Sequence, residues 1–269
     1  MLLKYQHYYQ HWNVFVQILA LQSGPLSGID NMALDEGLLE WVRAQASPVL
    51  IVRTYQWQAP TLSLGVHQKV RDIDFLLKFY GQNEPVHAVV RRPTGGRAIL
   101  HGHDISYAFI TNAPESLRLP LKEAYALYAG LTQRALTRLE MPVRFADAVG
   151  SRDYLRSPVC FETHTPSDLV AMDGQKIAGS AQLRRAGGLL QHGAAFLKGY
   201  LIDEAALFKA LCQAATEHFQ SSATALSLEE AQALVPNWAE LQARYEQSST
   251  EILQSASTTK GSHLVPASV

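Results

Sequence analysis

The sequence predicts one α/β or α+β domain, built on a largely antiparallel mixed sheet flanked by helices. Three observations carry this. Runs rich in β-branched residues, such as PVLIVRTY and HAVVRR, alternate with segments whose apolar residues recur at helical spacing. Asp173-Gly174 separates two extended runs, a strong short-range hairpin signal. No internal repeat or interdomain linker occurs before residue 220, and 269 residues at 47% hydrophobic content suffice for a full core.

Asp30 or Asn31 is expected to cap a first helix with Met32, Leu34, Leu38, Leu39 and Val42 on its apolar face, ending near Ser47-Pro48. PVLIVRTY then reads as a buried strand and TLSLG as a second. Asp72 or Asp74 opens a helix through Phe75, Leu76, Leu77 and Phe79, and HAVVRR is a third strand leading into the glycine-rich segment 93–97. DISYAFI alternates like a half-buried strand. Pro120 opens the longest helix, at a first-turn position where its missing N–H is harmless. PVRFA, the hairpin over 168–182 and GGLLQHGAAFL complete the predicted strands. Residues 203–219 and 227–253 read as helices separated by the polar stretch Gln220 to Ala225, the second interrupted at Pro236. The expected organisation is a catalytic domain over 1–220, a helical appendage over 221–254 and a flexible tail over 255–269.

Composition excludes several classes. The formal charge is −1, from 23 basic and 24 acidic residues, so no bulk field draws the chain to nucleic acid or an anionic membrane. The N-terminal apolar run lacks a cleavage motif, and nowhere do ~20 uninterrupted apolar residues occur, so neither a signal peptide nor a membrane span is expected. Two cysteines make no disulfide framework; reduced thiols and a cytoplasmic location are the expectation.

Each cysteine then needs an explanation by position. Cys212 shares a helical stripe with Phe208, Leu211, Ala215 and Phe219 and reads as a structural thiol. Cys160 sits between Pro158 and Pro166 in a segment too broken for a regular element, where a nucleophile or a small apolar filler are both open readings. Lys176 follows the Asp-Gly turn. It is either a solvated charge or, if it points into a cleft near Cys160, a group favouring thiolate; lowering a thiol pKa from ~8.5 to ~7 raises the thiolate fraction at pH 7 from about 3% to about half. Arg91-Arg92-Pro93-Thr94-Gly95-Gly96-Arg97 offers exposed N–H groups and charge-assisted donors for a ligand, or is a Gly-Gly turn with solvated arginines. It is neither a P-loop nor a Rossmann fingerprint. His192 could be a base, a substrate contact or a structural residue, and His101, His103 and His192 have no metal-ligand spacing.

Four segments in order, SGPLSGIDNMALDEGLLEW, WQAPTLSLGVHQ, RRPTGGRAILHGHDISYAF and DGQKIAGSAQLRRAGGLLQHGA, resemble the lipoate–protein ligase and octanoyltransferase family, whose catalytic domain is related to that of biotin–protein ligase. The resemblance covers residues 23–197 and implies an α+β, biotin/lipoate protein ligase-like catalytic domain. SPVCFETHTPSDLV, upstream of the lysine segment, is similar to the cysteine-dependent octanoyltransferase branch called LipM. By that resemblance Cys160 carries the acyl group and Lys176 binds the acyl carbonyl and lowers the Cys160 pKa. Arg92, Gly95, Gly96 and His101 form the pocket wall, and Gly179, Ser180 and Ala181 leave room for the aliphatic chain. His192 stays a candidate substrate contact, or one of three groups, with Cys160 and Lys176, that could deprotonate the acceptor lysine. The implied donor is octanoyl-acyl carrier protein, and the acceptor a lipoyl-carrier protein such as the glycine cleavage H protein or a dehydrogenase E2 lipoyl domain. No cofactor is implied, since thioester exchange is near energy-neutral and thioester to amide runs downhill. Arg97, where relatives often carry a third glycine, and Thr165-Pro166, where an aromatic is common, depart from the pattern.

Three other readings use the same residues: an ATP-dependent lipoate ligase, an amidotransferase moving octanoyl or lipoyl between carrier proteins, and a non-catalytic binder of acyl-carrier or lipoyl domains. Arg184, Arg185 and Lys198 are candidates for docking acidic partner proteins.

Overall fold

The computed structural model describes residues 15–69, 72–82, 84–147, 165–197 and 199–257. Two sheets organise them. The larger has the strands β1 (Gln17–Leu26), β2 (Val49–Trp57), β6 (Ile105–Thr111), β7 (Val143–Phe145), β8 (Leu169–Ala171), β9 (Lys176–Arg185), β10 (Gly188–Ala195) and β11 (Ala223–Leu226), in the order β11-β1-β2-β6-β10-β9-β8-β7. The smaller has β3 (Thr61–Leu64), β4 (Ala88–Arg91) and β5 (Ile99–His101), in the order β4-β3-β5. In the large sheet β1 runs parallel to both β11 and β2, and every other pairing is antiparallel.

Helices cover both faces of the large sheet. On one, Leu50, Val52, Tyr107, Phe109 and Leu189 pack against α4 (Leu121–Arg138) and α5 (Glu204–Phe219). On the other, Ile51, Tyr55, Ala108, Ile110 and Leu190 pack against α1 (Gly28–Arg43), with Ala231 of α6 (Leu228–Leu234), Val235 and Tyr245 of α7 (Trp238–Ser257) behind it. A third core lies under the small sheet, where Leu62, Leu64 and Val89 meet α2 (Ile73–Gly81) and Ile252 and Ala256 of α7. Burial on both faces explains why β2 reads as an almost unbroken apolar run.

Several boundaries differ from expectation for local reasons. Ser27 caps α1, its Oγ accepting from Asp30 N, so the helix begins before Asp30 and ends at Arg43. Asn31, expected as a cap, is spent on tertiary bonds: its side chain donates to Leu26 O and Gln56 O. Pro120 is the N-cap of α4 rather than its first residue. A short α3 (Pro114–Arg118) precedes it. The polar stretch after α5 contains β11, which pairs with β1 through residues remote in sequence. The hairpin at Asp173-Gly174 forms as expected, with Gly174 at φ +92°. Cys212 packs half-buried against the α4–α5 core, and burial pushes its thiol up to about 12.

Candidate active site

The site begins with an irregularity in β9. Leu169 pairs with Ala178, but the next residue, Val170, pairs with Lys176, leaving Ile177 as an extra residue. In a regular strand Lys176 and Ala178 would share a face. The bulge instead sends both Ile177 and Ala178 into the α4–α5 core and turns Lys176 the other way, into a cleft. There Lys176 Nζ donates to Asp168 Oδ2 at 2.9 Å, with the two side chains only 3% and 5% exposed. Asp168 Oδ2 also accepts from Thr165 N at 2.7 Å. Gly179 makes this possible: a Cβ there would stand 2.8 Å from both Asp168 Oδ1 and Lys176 Cε.

The cleft lies across the α1 face of the large sheet, roofed by the small sheet. Strand register defines its floor. Gly179 pairs with Ala194, Ala194 with Ser106 and Ser106 with Tyr55, a single row crossing β9, β10, β6 and β2. Lys176 and Asp168 stand at the β9 end; Met32, Tyr55 and Trp57 stand at the β2 end. Ser63, Arg92, Gly96, Ile99 and His101 contribute the roof.

The adjacent row, Ala181–His192–Ala108–Arg53, anchors the walls to each other. Arg53 and Asp35 are fully buried and paired, and a charge there is tolerable only because its hydrogen bonds are met. Arg53 donates to Asp35, Asn31 and Ser23, with its guanidinium 4.1 Å over the Tyr55 ring, and Tyr55 donates to Asp35 at 3.1 Å. Burial would raise the Asp35 pKa, but Arg53 and His192 outweigh it and hold the carboxyl below its usual value. His192 is shifted down, chiefly by burial. The neutral ring donates from Nδ1 to Asp35 Oδ2 at 2.9 Å, because a carboxylate can only accept, and Nε2 accepts from Thr94 Oγ1 at 2.6 Å. Both ring nitrogens of His192 are therefore engaged, and the glycine-rich turn is tied to the large sheet.

Arg92 holds that turn from inside. Its guanidinium donates to the carbonyls of Ser63, Gly95 and Arg97. Gly96, at φ +91°, lets Arg92 lie against it; a side chain would begin 2.8 Å from Nη2. At the β2 end, Trp57 Nε1 donates to Ser106 Oγ, Ser106 donates to Asp104, and Asp104 accepts from His101 Nδ1 at 2.9 Å. His101 stacks back on Trp57, with centroids 4.1 Å apart. Burial raises the Asp104 pKa, but His101 and the hydrogen bonds from Ser106 and Gly102 bring it below its usual value.

Of the residues singled out from sequence, Lys176, Arg92, Gly96, His101, Gly179, Ser180, Ala181 and His192 all line one cleft. Lys176 is buried and paired, not a solvated charge. Ser180 faces the α4 side, its hydroxyl accepting from Gln191, so its backbone is what borders the cleft. Gly95 stands outside the lining and serves through its carbonyl. Cys160 lies outside the described residues, as does Lys198. Arg184 and Arg185 are part-exposed and bonded within the chain, Arg184 to Leu119 O and Arg185 to Glu36 and Glu40. His103 pairs with Glu84 at the surface. Sequence reasoning missed Asp35, Arg53, Asp104 and Asp168. The available signal was a charge inside an apolar pattern: Arg53 interrupts VLIVRTY, and Asp35 falls among Met32, Leu34, Leu38 and Leu39.

Residues 27–235 match the family model described as the lipoyl protein ligase A/B catalytic domain. The chain is 39% identical over 184 residues to an octanoyltransferase LipM of Lysinibacillus sphaericus, covering 66% of this chain and 64% of that protein. It is 38% identical over 196 residues to an octanoyltransferase LipM of Anoxybacillus flavithermus, covering 70% and 67%. The match thus spans slightly less than two thirds of the former relative. Among solved structures, a lipoate-protein ligase A bound with ATP superposes with a TM-score of 0.63 at 16% identity, covering 85% of this chain and 94% of that one. A chain from the Thermoplasma acidophilum system of a bi-partite lipoate protein ligase and its E2 lipoyl domain gives 0.60 at 16%, covering 96% and 100%. The fold is that of the lipoate protein ligases.

Proposed function

The chain belongs to the lipoyl protein ligase A/B catalytic-domain family, and on that premise we propose that it moves octanoyl from acyl carrier protein, through a thioester on Cys160, to a lysine of a lipoyl-carrier protein. The observation that carries this reading is the Lys176 ammonium, aimed by a bulge into a cleft with a glycine and alanine floor and held there by Asp168. Relatives named octanoyltransferase favour the thioester route over the ATP-dependent one.

In the first step the Cys160 thiolate attacks the acyl carbon of the donor thioester, and the donor thiolate leaves with the proton that Cys160 gave up. Lys176 Nζ, fixed by Asp168, donates to the acyl oxygen as negative charge develops on it. A cation fixed at 2.9 Å from a carboxylate keeps its position without reorganising during the reaction. In the second step the acceptor lysine attacks the Cys160 thioester, the amide forms, and the departing Cys160 sulfur takes the amine proton. His192 is a poor candidate for that proton because Asp35 and Thr94 occupy both its nitrogens. With a lysine pKa of ~10.4, about 0.04% of the acceptor is neutral at pH 7. Transfer from the enzyme thioester should therefore accelerate with rising pH.

The partners of this reading are octanoyl-acyl carrier protein as donor and the glycine cleavage H protein or an E2 lipoyl domain as acceptor. Neither nucleic acid nor membrane takes part, and among the described residues no helix is long and apolar enough to cross a membrane. A cytoplasmic setting suits a thiol that must stay reduced.

Incubating the protein with octanoyl-acyl carrier protein and a lipoyl domain, without ATP, should produce the octanoyl-lysine amide by mass. Lys176→Met should slow it at least ~100-fold, the scale of losing one oxyanion donor. Conjugation that requires ATP and free octanoate, and ignores the carrier-bound donor, would instead favour the ligase reading.

A further inference from the structure

The same row of residues that floors the cleft also measures it. From β9 to β2 there are three inter-strand steps, about 14 Å at the usual spacing. An acyl group whose carbonyl sits beside Lys176 starts at the β9 end and runs over Ala194 and Ser106 towards β2. With carbon–carbon bonds of ~1.5 Å at ~111°, the seven bonds of an extended octanoyl group span about 9 Å. Van der Waals contact beyond its terminal methyl adds about 4 Å. Eight carbons thus fill the row, and two more would add about 2.5 Å and enter the wall.

That wall is Met32, backed by Tyr55 and Trp57. Met32 is 1% exposed yet borders the cleft. Its place over β2 is set by its neighbour Asn31, whose side chain is bonded to Gln56 O and whose carbonyl accepts from Arg53. Trp57 cannot swing away cheaply, because its indole N–H is held by Ser106 and its face by His101, which Asp104 fixes in turn. Met32 differs from these: it is unbranched and makes no polar contact, so its length alone decides how far the cleft extends.

We propose that Met32 is the stop that sets the acyl chain at about eight carbons, a specificity residue supplied by the second turn of α1. This rests on the acyl-transfer reading above. The test compares hexanoyl-, octanoyl-, decanoyl- and dodecanoyl-acyl carrier protein as donors to a lipoyl domain, with the unsubstituted protein, Met32→Ala and Met32→Phe. The unsubstituted protein should prefer octanoyl. Met32→Ala should raise the decanoyl to octanoyl ratio of kcat/KM by about 15-fold, the worth of burying two methylenes. Met32→Phe should shift preference towards hexanoyl, an opposite change that stands even if the alanine variant fails to fold. Octanoyl transfer by the unsubstituted protein with the same length profile in both variants would overturn the proposal and leave the transferase reading intact. No transfer of any chain by the unsubstituted protein would remove both.

Discussion

Gly179 decides the site at the scale of single residues. By resemblance, Gly179, Ser180 and Ala181 leave room for the aliphatic chain. The room serves the lysine as much as the acyl chain, because the Lys176 stem and the Asp168 carboxylate occupy the volume a Cβ would need. Gly179→Ala should therefore displace the Lys176–Asp168 pair, lowering kcat about 100-fold while circular dichroism stays unchanged. An alanine variant with normal kcat would show that this pair is not needed. Lys176, Gly179 and Arg92 were legible through the family resemblance, whereas type and local pattern alone left Lys176, Arg92 and His192 open to a structural reading. Asp35 and Arg53 were not legible, since they pair across α1 and β2, and a buried charge looks like any other until its partner is known. Asp104 differs, because its partners His101 and Ser106 lie within three residues and its pairing was within local reach.

Among elements, β9 is the informative one. Its existence was legible from the Asp-Gly turn and the extended runs beside it, but strict alternation would have placed Lys176 with Ala178 in the α4–α5 core. One extra residue reverses that. Inserting one alanine between Leu169 and Val170 should give Ile177 a partner, restore regular pairing and carry the lysine onto the Ala178 face, into the core facing α4, leaving a charge without a partner. Such uncompensated burial costs about 3–5 kcal/mol. The insertion should lower the denaturation midpoint and abolish acyl transfer; a stable, active insertion variant would mean the bulge does not aim the lysine. The strand β11 was missed for a related reason. Its four residues, ATAL, are mostly exposed and too few to show an alternation, and its only strand partner in the described sheet is β1, some 200 residues away.

Over the whole molecule, the C-terminal segment is tied into the rest. Helix α7 reaches from the α1 core to the small-sheet core, and Tyr245 and Arg244 both donate to the buried Glu36 of α1. The fold class and most elements were readable because they follow from periodicity. The joining of two sheets and three cores was not, because it depends on pairings of high sequence separation. Acid should expose this arrangement. His218, at the end of α5, has its pKa lowered from 6.5 to about 4, mainly by burial and then by Arg134. Between these values the unfolded chain binds the extra proton, so the His218 contribution is complete above pH 6.5 and is lost as pH falls towards 4. The loss is at most about 3 kcal/mol. His192, also lowered by burial, acts in the same direction. Thermal unfolding midpoints recorded from pH 7 to pH 4.5 should fall, and His218→Gln should flatten the slope; an unchanged slope would contradict the assignment.

If the acyl group passes through this protein as a thioester, brief exposure to octanoyl-acyl carrier protein without an acceptor should leave it on the enzyme. Intact mass and peptide mapping should then find one added octanoyl group, mapped to Cys160, released by hydroxylamine, absent in Cys160→Ala and slowed in Lys176→Met. Full transfer to a lipoyl domain by Cys160→Ala, with no adduct on the unsubstituted protein, would contradict it.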